Sequence, residues 1–291
     1  MVRPKPSNGN RQPGAALGWP RNFLNHRFVY LVLSQRARGL SIGINLNPDK
    51  RCNYQCVYCE VNRAEPARDS AVDIPVMIEE LDATLKLVRA GRLREIPAFS
   101  HWPAELLELK EVALSGDGEP TLSPQFRQIV GAVVGLRSSG LVPLFKIVLI
   151  TNTTGLHLPE VREGWRLLAG QDEIWVKFEA GTQAYMDRIN VPDHRLRDVM
   201  ANILTVGLER PVIIQSCFPL FREEEPSDDE IREYVNRLQE LKAAGAKIAL
   251  VQIYSAHRPA HSAECGHLRL ERLSYIARQV RAMTGLKAEV F

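Results

Sequence analysis

From residue 41 onward, short apolar runs alternate with stretches in which apolar residues recur every three or four positions. The runs predict strands and the stretches predict amphipathic helices. Strands are expected at 41–46 (SIGINL), 111–114, 145–150 (FKIVLI), 173–178, 212–218 and 247–254. The third is almost wholly apolar, as a strand buried on both faces should be. Helices are expected at 74–90, where Ile74, Ile78, Leu81, Leu85 and Val88 share a face, and at 123–136, with Ser123 as N-cap and Pro124 in the first turn. Others follow at 159–168, 182–189, 195–208, 227–244 and 270–283, with Gly91 and Gly245 as stops. Strand then helix, about six times, argues for parallel pairing with right-handed crossovers. The fold class is α/β, either doubly wound or an incomplete (β/α)6 barrel of TIM type. In both, chemistry sits at the C-terminal ends of the strands.

Composition narrows the class. The 291 residues are 45% hydrophobic and 24% charged, which excludes a disordered or collagen-like chain. Five cysteines are too few for a disulfide-stapled scaffold. The apolar run 28–33 is flanked by Arg27 and Arg36 and falls far short of the ~20 residues that span a bilayer. No small-residue cleavage site follows it, so a signal peptide is not expected. The expectation is a reduced, cytoplasmic protein without a membrane segment. The net charge of +3 hides an asymmetry. Residues 1–48 hold seven basic residues (Arg3, Lys5, Arg11, Arg21, Arg27, Arg36, Arg38) and no acidic one, leaving 30 basic and 34 acidic residues downstream. This predicts a loosely packed, basic N-terminal extension over 1–40, ahead of a domain over 41–291. A polyanion contact or a transit peptide are the other readings of such an arm.

The chemistry concentrates after the first strand, in GINLNPDKRCNYQCVYCEVNR. Cys52, Cys56 and Cys59 are spaced C-x3-C-x2-C, so three thiols on one loop can converge on one metal centre. The basic neighbours Lys50 and Arg51 favour thiolates. Structural zinc wants four closed ligands, usually as two pairs, and no second pair has that spacing. A four-iron cluster would take three thiolates and leave one iron open. After the second strand comes SGDGEPTL, with Gly116, Asp117, Gly118 and Glu119. Its glycines permit close backbone approach, and Glu119 offers a carboxylate to an ammonium group.

The cysteine spacing, Tyr58 before the third cysteine, and the glycine–glutamate segment one βα unit later resemble the radical S-adenosylmethionine superfamily. The resemblance spans about residues 41–291. Asp117 departs from the usual pair of glycines. GINLNPDKRCNYQCVYCEVNR, LSGDGEPTL, VKFEAGT, RINVP and VQIYSAHRP look like a single-domain bacterial and archaeal branch, similar to the wyosine-base synthases of tRNA and the molybdenum-cofactor GTP cyclase.

The resemblance implies a 4Fe-4S cluster on Cys52, Cys56 and Cys59, whose open iron chelates S-adenosyl-L-methionine. It implies reductive cleavage to methionine and a 5′-deoxyadenosyl radical, which takes hydrogen from a substrate. An electron donor such as flavodoxin or ferredoxin goes with that chemistry. Only Cys217 and Cys265 remain, far apart, so one cluster is expected. Strand-end polar residues are further candidates for holding the cofactor: Thr151 and Asn152, Lys177 and Glu179, Gln215 and Ser216, and Gln252. Lys177 could pair with the methionine carboxylate. Glu179, Gln215 or Ser216 could bond the ribose, and Tyr58 could lie on the adenine. Cys217 is expected as a small core residue. The segment HRPAHSAECGH, with His257, His261, Cys265 and His267, matches no metal spacing and is expected as loop. The first substrate class is tRNA or a nucleotide; the second is a peptide or protein. The alternative from another class is a non-catalytic zinc or iron–sulfur module that binds nucleic acid.

Overall fold

A computed structural model describes residues 23–256, 260 and 262–291. Arg3, Lys5, Arg11 and Arg21 of the basic arm, and His257 and His261, lie outside the described residues. The strands are β1 (Val29–Ser34), β2 (Gly39–Asn45), β3 (Leu109–Ser115), β4 (Lys146–Thr151), β5 (Glu173–Lys177), β6 (Val212–Cys217), β7 (Pro219–Phe221), β8 (Ile248–Tyr254), β9 (Cys265–His267) and β10 (Ala288–Val290). The helices are α1 (Ile74–Arg89), α2 (Phe126–Ser138), α3 (Pro159–Arg166), α4 (Gln183–Ile189), α5 (Leu196–Glu209), α6 (Asp228–Ala243) and α7 (Leu270–Thr284). One eight-stranded sheet runs β1-β2-β3-β4-β5-β6-β8-β10. From β2 to β10 every pairing is parallel; β1 alone is antiparallel, to β2.

All six expected strands are present within a few residues. Among the described residues, three of the seven α-helices begin where a side chain satisfies a free N–H group. Asp73 accepts from Val76 N ahead of α1, Thr182 from Tyr185 N ahead of α4, and Ser227 from Glu230 N ahead of α6. Ser123 is a correction. It closes the 3-10 turn Pro120–Leu122, and α2 starts three residues later without a side-chain cap. Pro124 disfavours the helical region for the residue before it, and Ser123 is extended.

The extension also needs correction. Residues 29–34 and 39–40 belong to the sheet, with Leu31 and Leu40 fully buried. The basic residues that suggested a solvated arm are used locally. Arg27 pairs with Asp69 at 2.5 Å, and Arg38 pairs with Glu289 of β10 at 3.0 Å. That second pair joins the β1–β2 turn to the opposite edge of the sheet.

One face of the sheet packs on the helices through residues such as Leu81, Leu85, Ile129 and Val133, all fully buried. The other carries a separate apolar cluster of Val148, Trp175 and Ile213, with Ile150 and Leu250. Side chains alternate along a strand, so residues two positions further point the same way. Lys177, Gln215 and Gln252 therefore stand on this face, one step beyond the apolar layer. They are in register across β5, β6 and β8. The apolar layer forms a floor, and the polar row opens above it at the strands' C-terminal ends.

Candidate functional site

Above that floor lies a cavity of about 340 Å³. Its wall includes Cys52, Tyr58, Cys56 and Cys59 from the loop after β2, Gly116, Asp117, Gly118 and Glu119 after β3, Asn152 after β4, Lys177 at the end of β5 and Gln215 in β6. These eleven candidates, drawn from positions 52 to 215, meet there together with Thr151. Parallel pairing explains why, since it puts every strand's C-terminal loop on one side.

The cysteine loop is anchored by backbone. Gln55 N donates to Asn190 O at 3.0 Å and Val57 N to Ile189 O at 2.9 Å, so the end of α4 cradles it. Lys50 does not face the thiols; its ammonium donates to the carbonyls of Asn62 and Glu65 at 2.8 and 2.9 Å. The three thiols are free. Cys52 Sγ accepts from Tyr54 N at 3.4 Å and from Asn152 Nδ2 at 3.9 Å. Cys56 Sγ accepts from Asn190 Nδ2 at 3.6 Å. Burial pushes the Cys56 thiol up to about 12 and raises that of Cys52. The basic neighbours therefore do not make these thiols acidic, and a metal must displace their protons on binding.

The glycine segment is shaped by the cysteine loop as much as by any ligand. A Cβ on Gly118 would stand 2.0 Å from Arg51 O, and one on Gly116, at φ 148°, would stand 2.2 Å from Asn45 Oδ1. Glu119 N donates to Arg51 O at 2.9 Å, which ties the two loops together. Asp117 Oδ2 accepts from Asn45 Nδ2 at 2.8 Å. The buried Glu119 carboxylate accepts on Oε1 from Thr121 N, Thr121 Oγ1 and Thr151 Oγ1, and on Oε2 from Asn152 N alone at 2.6 Å. Burial raises its pKa, and these donors pull it back. Oε2 retains acceptor capacity.

Lys177 Nζ stands 5.0 Å from the centroid of the Tyr58 ring. Burial works against its charge, but Tyr254, Cys56 and Glu179 around it keep its pKa above the ordinary value. Gln215 is buried, and its Nε2 has no hydrogen-bond partner.

Three expectations change. Glu179 is absent from the cavity wall; it accepts from Tyr58 OH and from Asn190 Nδ2 at 2.7 Å, bracing the cysteine loop from behind. Ser216 points to the helix side, bonded to Phe178 O and Tyr234 OH, both at 2.6 Å. Gln252 neighbours Gln215 but does not line the cavity. Cys217 is buried as expected, yet it also lines the cavity, and burial raises its thiol well above the usual range. Cys265 and His267 are not in a loop but form β9, antiparallel to β7. Sequence reasoning missed Asn190, although it lies within the RINVP segment, and it missed Arg36, Val32 and Ser34, which line the cavity from the region assigned to the extension.

The fold is shared with several solved structures. Among solved structures, SuiB of Streptococcus suis bound to precursor peptide SuiA superposes with a TM-score of 0.59 at 13% identity, over 86% of this chain and 48% of that one. SuiB bound to S-adenosylmethionine gives 0.57 at 13%, over 88% and 52%. TYW1 with a lysine-pyruvate adduct bound gives 0.55 at 16%, over 86% and 75%. No family model matches the chain. Among curated proteins, the UPF0026 protein slr1464 of Synechocystis sp. is 30% identical over 166 residues, 56% of this chain and 52% of that protein. A UPF0026 protein of Helicobacter pylori is 26% identical over 133 residues, 45% of this chain and 36% of that one. The matched part is thus about half of the first relative and about a third of the second.

Proposed function

We propose that this chain is a radical S-adenosylmethionine enzyme with one 4Fe-4S cluster, built as an incomplete (β/α)6 barrel. The observation that carries the reading is the meeting of three free thiols and the SGDGEP loop on one cavity wall. The donor set fits both groups. Among the described residues no three His, Cys, Asp or Glu side chains are set to grip one metal ion. A lone zinc, which needs ligands converging within about 2.3 Å of a point, is the poorer fit. A multi-iron cluster spreads its thiolates further apart. Cys52, Cys56 and Cys59 would hold the cluster. Glu119 Oε2 would accept from the ammonium of S-adenosylmethionine, and Lys177 would face its carboxylate. Gln215 Nε2 is a buried donor in want of an acceptor, which a ribose or adenine would supply. Tyr58 has one face toward Lys177, so its place beside the adenine is an edge or the other face.

When bound, the cluster and S-adenosylmethionine supply the reductive cleavage and the hydrogen abstraction. The chain's part is to orient and to exclude water. Ile150 on the cavity wall packs against the buried apolar cluster of Val148, Trp175 and Ile213, a layer with no polar side-chain atom but the Trp175 indole, which donates to Glu173 at 2.8 Å. Among the described residues no helix is long and apolar enough to cross a membrane. A flavodoxin or ferredoxin as electron donor, and a nucleotide, tRNA or peptide as substrate, belong to the same proposal.

The test is anaerobic purification and reconstitution, followed by dithionite and S-adenosylmethionine. About four irons and four sulfides per chain, with 5′-deoxyadenosine formed, support the reading. A colourless zinc protein, or undiminished 5′-deoxyadenosine from Cys56→Ala, overturns it.

A further inference from the structure

We propose that the reactant carries a compact oxyanion, a phosphate or a carboxylate, and that Arg36 holds it. This rests on the reading above, in which the cysteine end of the cavity takes the cofactor. Another part of the cavity wall is built from Val32, Ser34 and Arg36 of β1 and its turn, from Tyr254 at the end of β8, and from Phe291 beyond β10. It lies along the seam where the two edges of the sheet approach each other.

Arg36 is unlike the other arginines around it. Arg38 has Glu289 at 3.0 Å, Arg27 has Asp69 at 2.5 Å, and Arg63 donates to Tyr54 O at 2.9 Å. Arg36 has neither a hydrogen-bond acceptor nor a carboxylate partner among the described residues, and its Nε is buried. Its guanidinium lies over the Tyr254 ring, 4.3 Å from the centroid. Stacking fixes the guanidinium plane and leaves its edges, which carry the N–H fork, free for a ligand. A part-buried cation with unsatisfied donors costs stability unless something accepts from it. A guanidinium fork matches the paired oxygens of a phosphate or carboxylate.

Lys177 also lines the cavity, but Glu179 acts on it and it is already assigned to the cofactor carboxylate, so it does not count toward this site. Asp117 and Glu119 belong to the cysteine end and are held there by Asn45, Thr121, Thr151 and Asn152. The wall as a whole carries Glu60, Asp117 and Glu119 against Arg36, Arg63 and Lys177, so the draw for an anion is local: the unsatisfied guanidinium of Arg36.

The test is chemical labelling of the full chain, reconstituted anaerobically and loaded with S-adenosylmethionine. Phenylglyoxal modification of each arginine is mapped by peptide mass spectrometry in sodium phosphate, sodium acetate or sodium chloride at one ionic strength. Saturating oxyanion should lower labelling of Arg36 about fivefold or more relative to chloride, with labelling of the exposed Arg232 unchanged. Protection by phosphate alone assigns a phosphate-bearing reactant, protection by acetate alone assigns a carboxylate, and equal protection supports the oxyanion site for either group. Arg36 labelling that is indifferent to both anions overturns the site. In a second measurement, oxyanion raises the thermal midpoint of the wild type and of Arg232→Met but not of Arg36→Met; Arg36→Lys keeps part of the rise. Equal rises in wild type and Arg36→Met also overturn it. Iron and bound S-adenosylmethionine are assayed on the same samples. If those are present while Arg36 goes unprotected, the anion site falls and the enzyme reading stands. If they are absent while Arg36 is protected, the enzyme reading falls and the anion site stands.

Discussion

Asn190 donates its side-chain amide to Cys56 Sγ at 3.6 Å across 134 residues of sequence. The same amide reaches Glu179 at 2.7 Å and Tyr58 OH at 3.2 Å. One buried side chain thus couples a candidate cluster ligand, the aromatic residue beside it and a buried carboxylate. Asn190→Ala should destabilise the fold by about 1–3 kcal/mol, because it leaves buried partners short of a donor. It should also lower the iron retained per chain after anaerobic reconstitution. Asn190→Asp should be worse, since it sets a second carboxylate beside Glu179. Melting temperature and iron assay check this. Wild-type values of both in Asn190→Ala would show that the amide does not hold the loop.

Gly118 is needed because two loops touch, whatever they bind. A Cβ there meets the Arg51 carbonyl at 2.0 Å, so the backbone must move. Gly118→Ala should cost about 1–3 kcal/mol and should displace the cysteine loop, cutting cluster occupancy. Gly135, in the middle of α2, has open space where a methyl group would stand, with nothing within 4 Å. Gly135→Ala should stabilise by up to about 1 kcal/mol and leave iron content alone. Urea denaturation of both variants gives the comparison. Similar effects from the two would remove the case for close approach at Gly118.

The parts of the site that cluster in sequence were legible there. Cys52, Cys56 and Cys59 sit on one loop, and Gly116 to Glu119 on another, so their chemistry shows in their spacing. The six strands with apolar side chains on both faces were legible for the same local reason. Asn190 and Arg36 were not, because each acquires its role from a neighbour far away in the chain. β1 was obscured by the arginines around it. Counted as charge, they suggest a solvated arm; in space, Arg27 and Arg38 are paired with Asp69 and Glu289. β10, three residues long, is too short for any period to show.

Glu111 gives the fold a pH dependence that does not involve the site. It is buried on β3, bonded to Ser41 Oγ at 3.1 Å, with Lys146 at 3.9 Å. Burial pushes its carboxyl up to about 7, against the partial opposition of Lys146 and Ser41. Below the unfolded value near 4.5, both states keep the proton and stability is unaffected. As pH rises toward 7, the unfolded chain releases the proton while the folded chain retains it, so stability falls. Above about 7 the loss is complete, on the order of 3 kcal/mol. Glu111→Gln should flatten the stability profile between about pH 4.5 and 7. Chemical denaturation across that range measures it, and an unchanged slope in the variant would assign the dependence elsewhere.

The pair Arg137–Asp172 separates fold stability from site chemistry. Arg137 on α2 meets Asp172 in two hydrogen bonds, at 2.6 and 2.9 Å, both side chains being buried. Asp172 also accepts from Ile147 N at 2.8 Å and Ala169 N at 2.7 Å. Arg137 has one further acceptor, Phe145 O at 3.1 Å. The two partners are therefore unequal when left alone. Without Asp172, a guanidinium stays buried with a single carbonyl, and two backbone N–H groups lose their acceptor. Without Arg137, the carboxylate keeps two backbone donors. Asp172→Ala should cost about 3–5 kcal/mol, and Arg137→Met clearly less. Neither residue approaches the cavity wall, so iron bound per folded chain should match the wild type in both variants. Equal losses of stability would show that the backbone donors contribute nothing to holding Asp172.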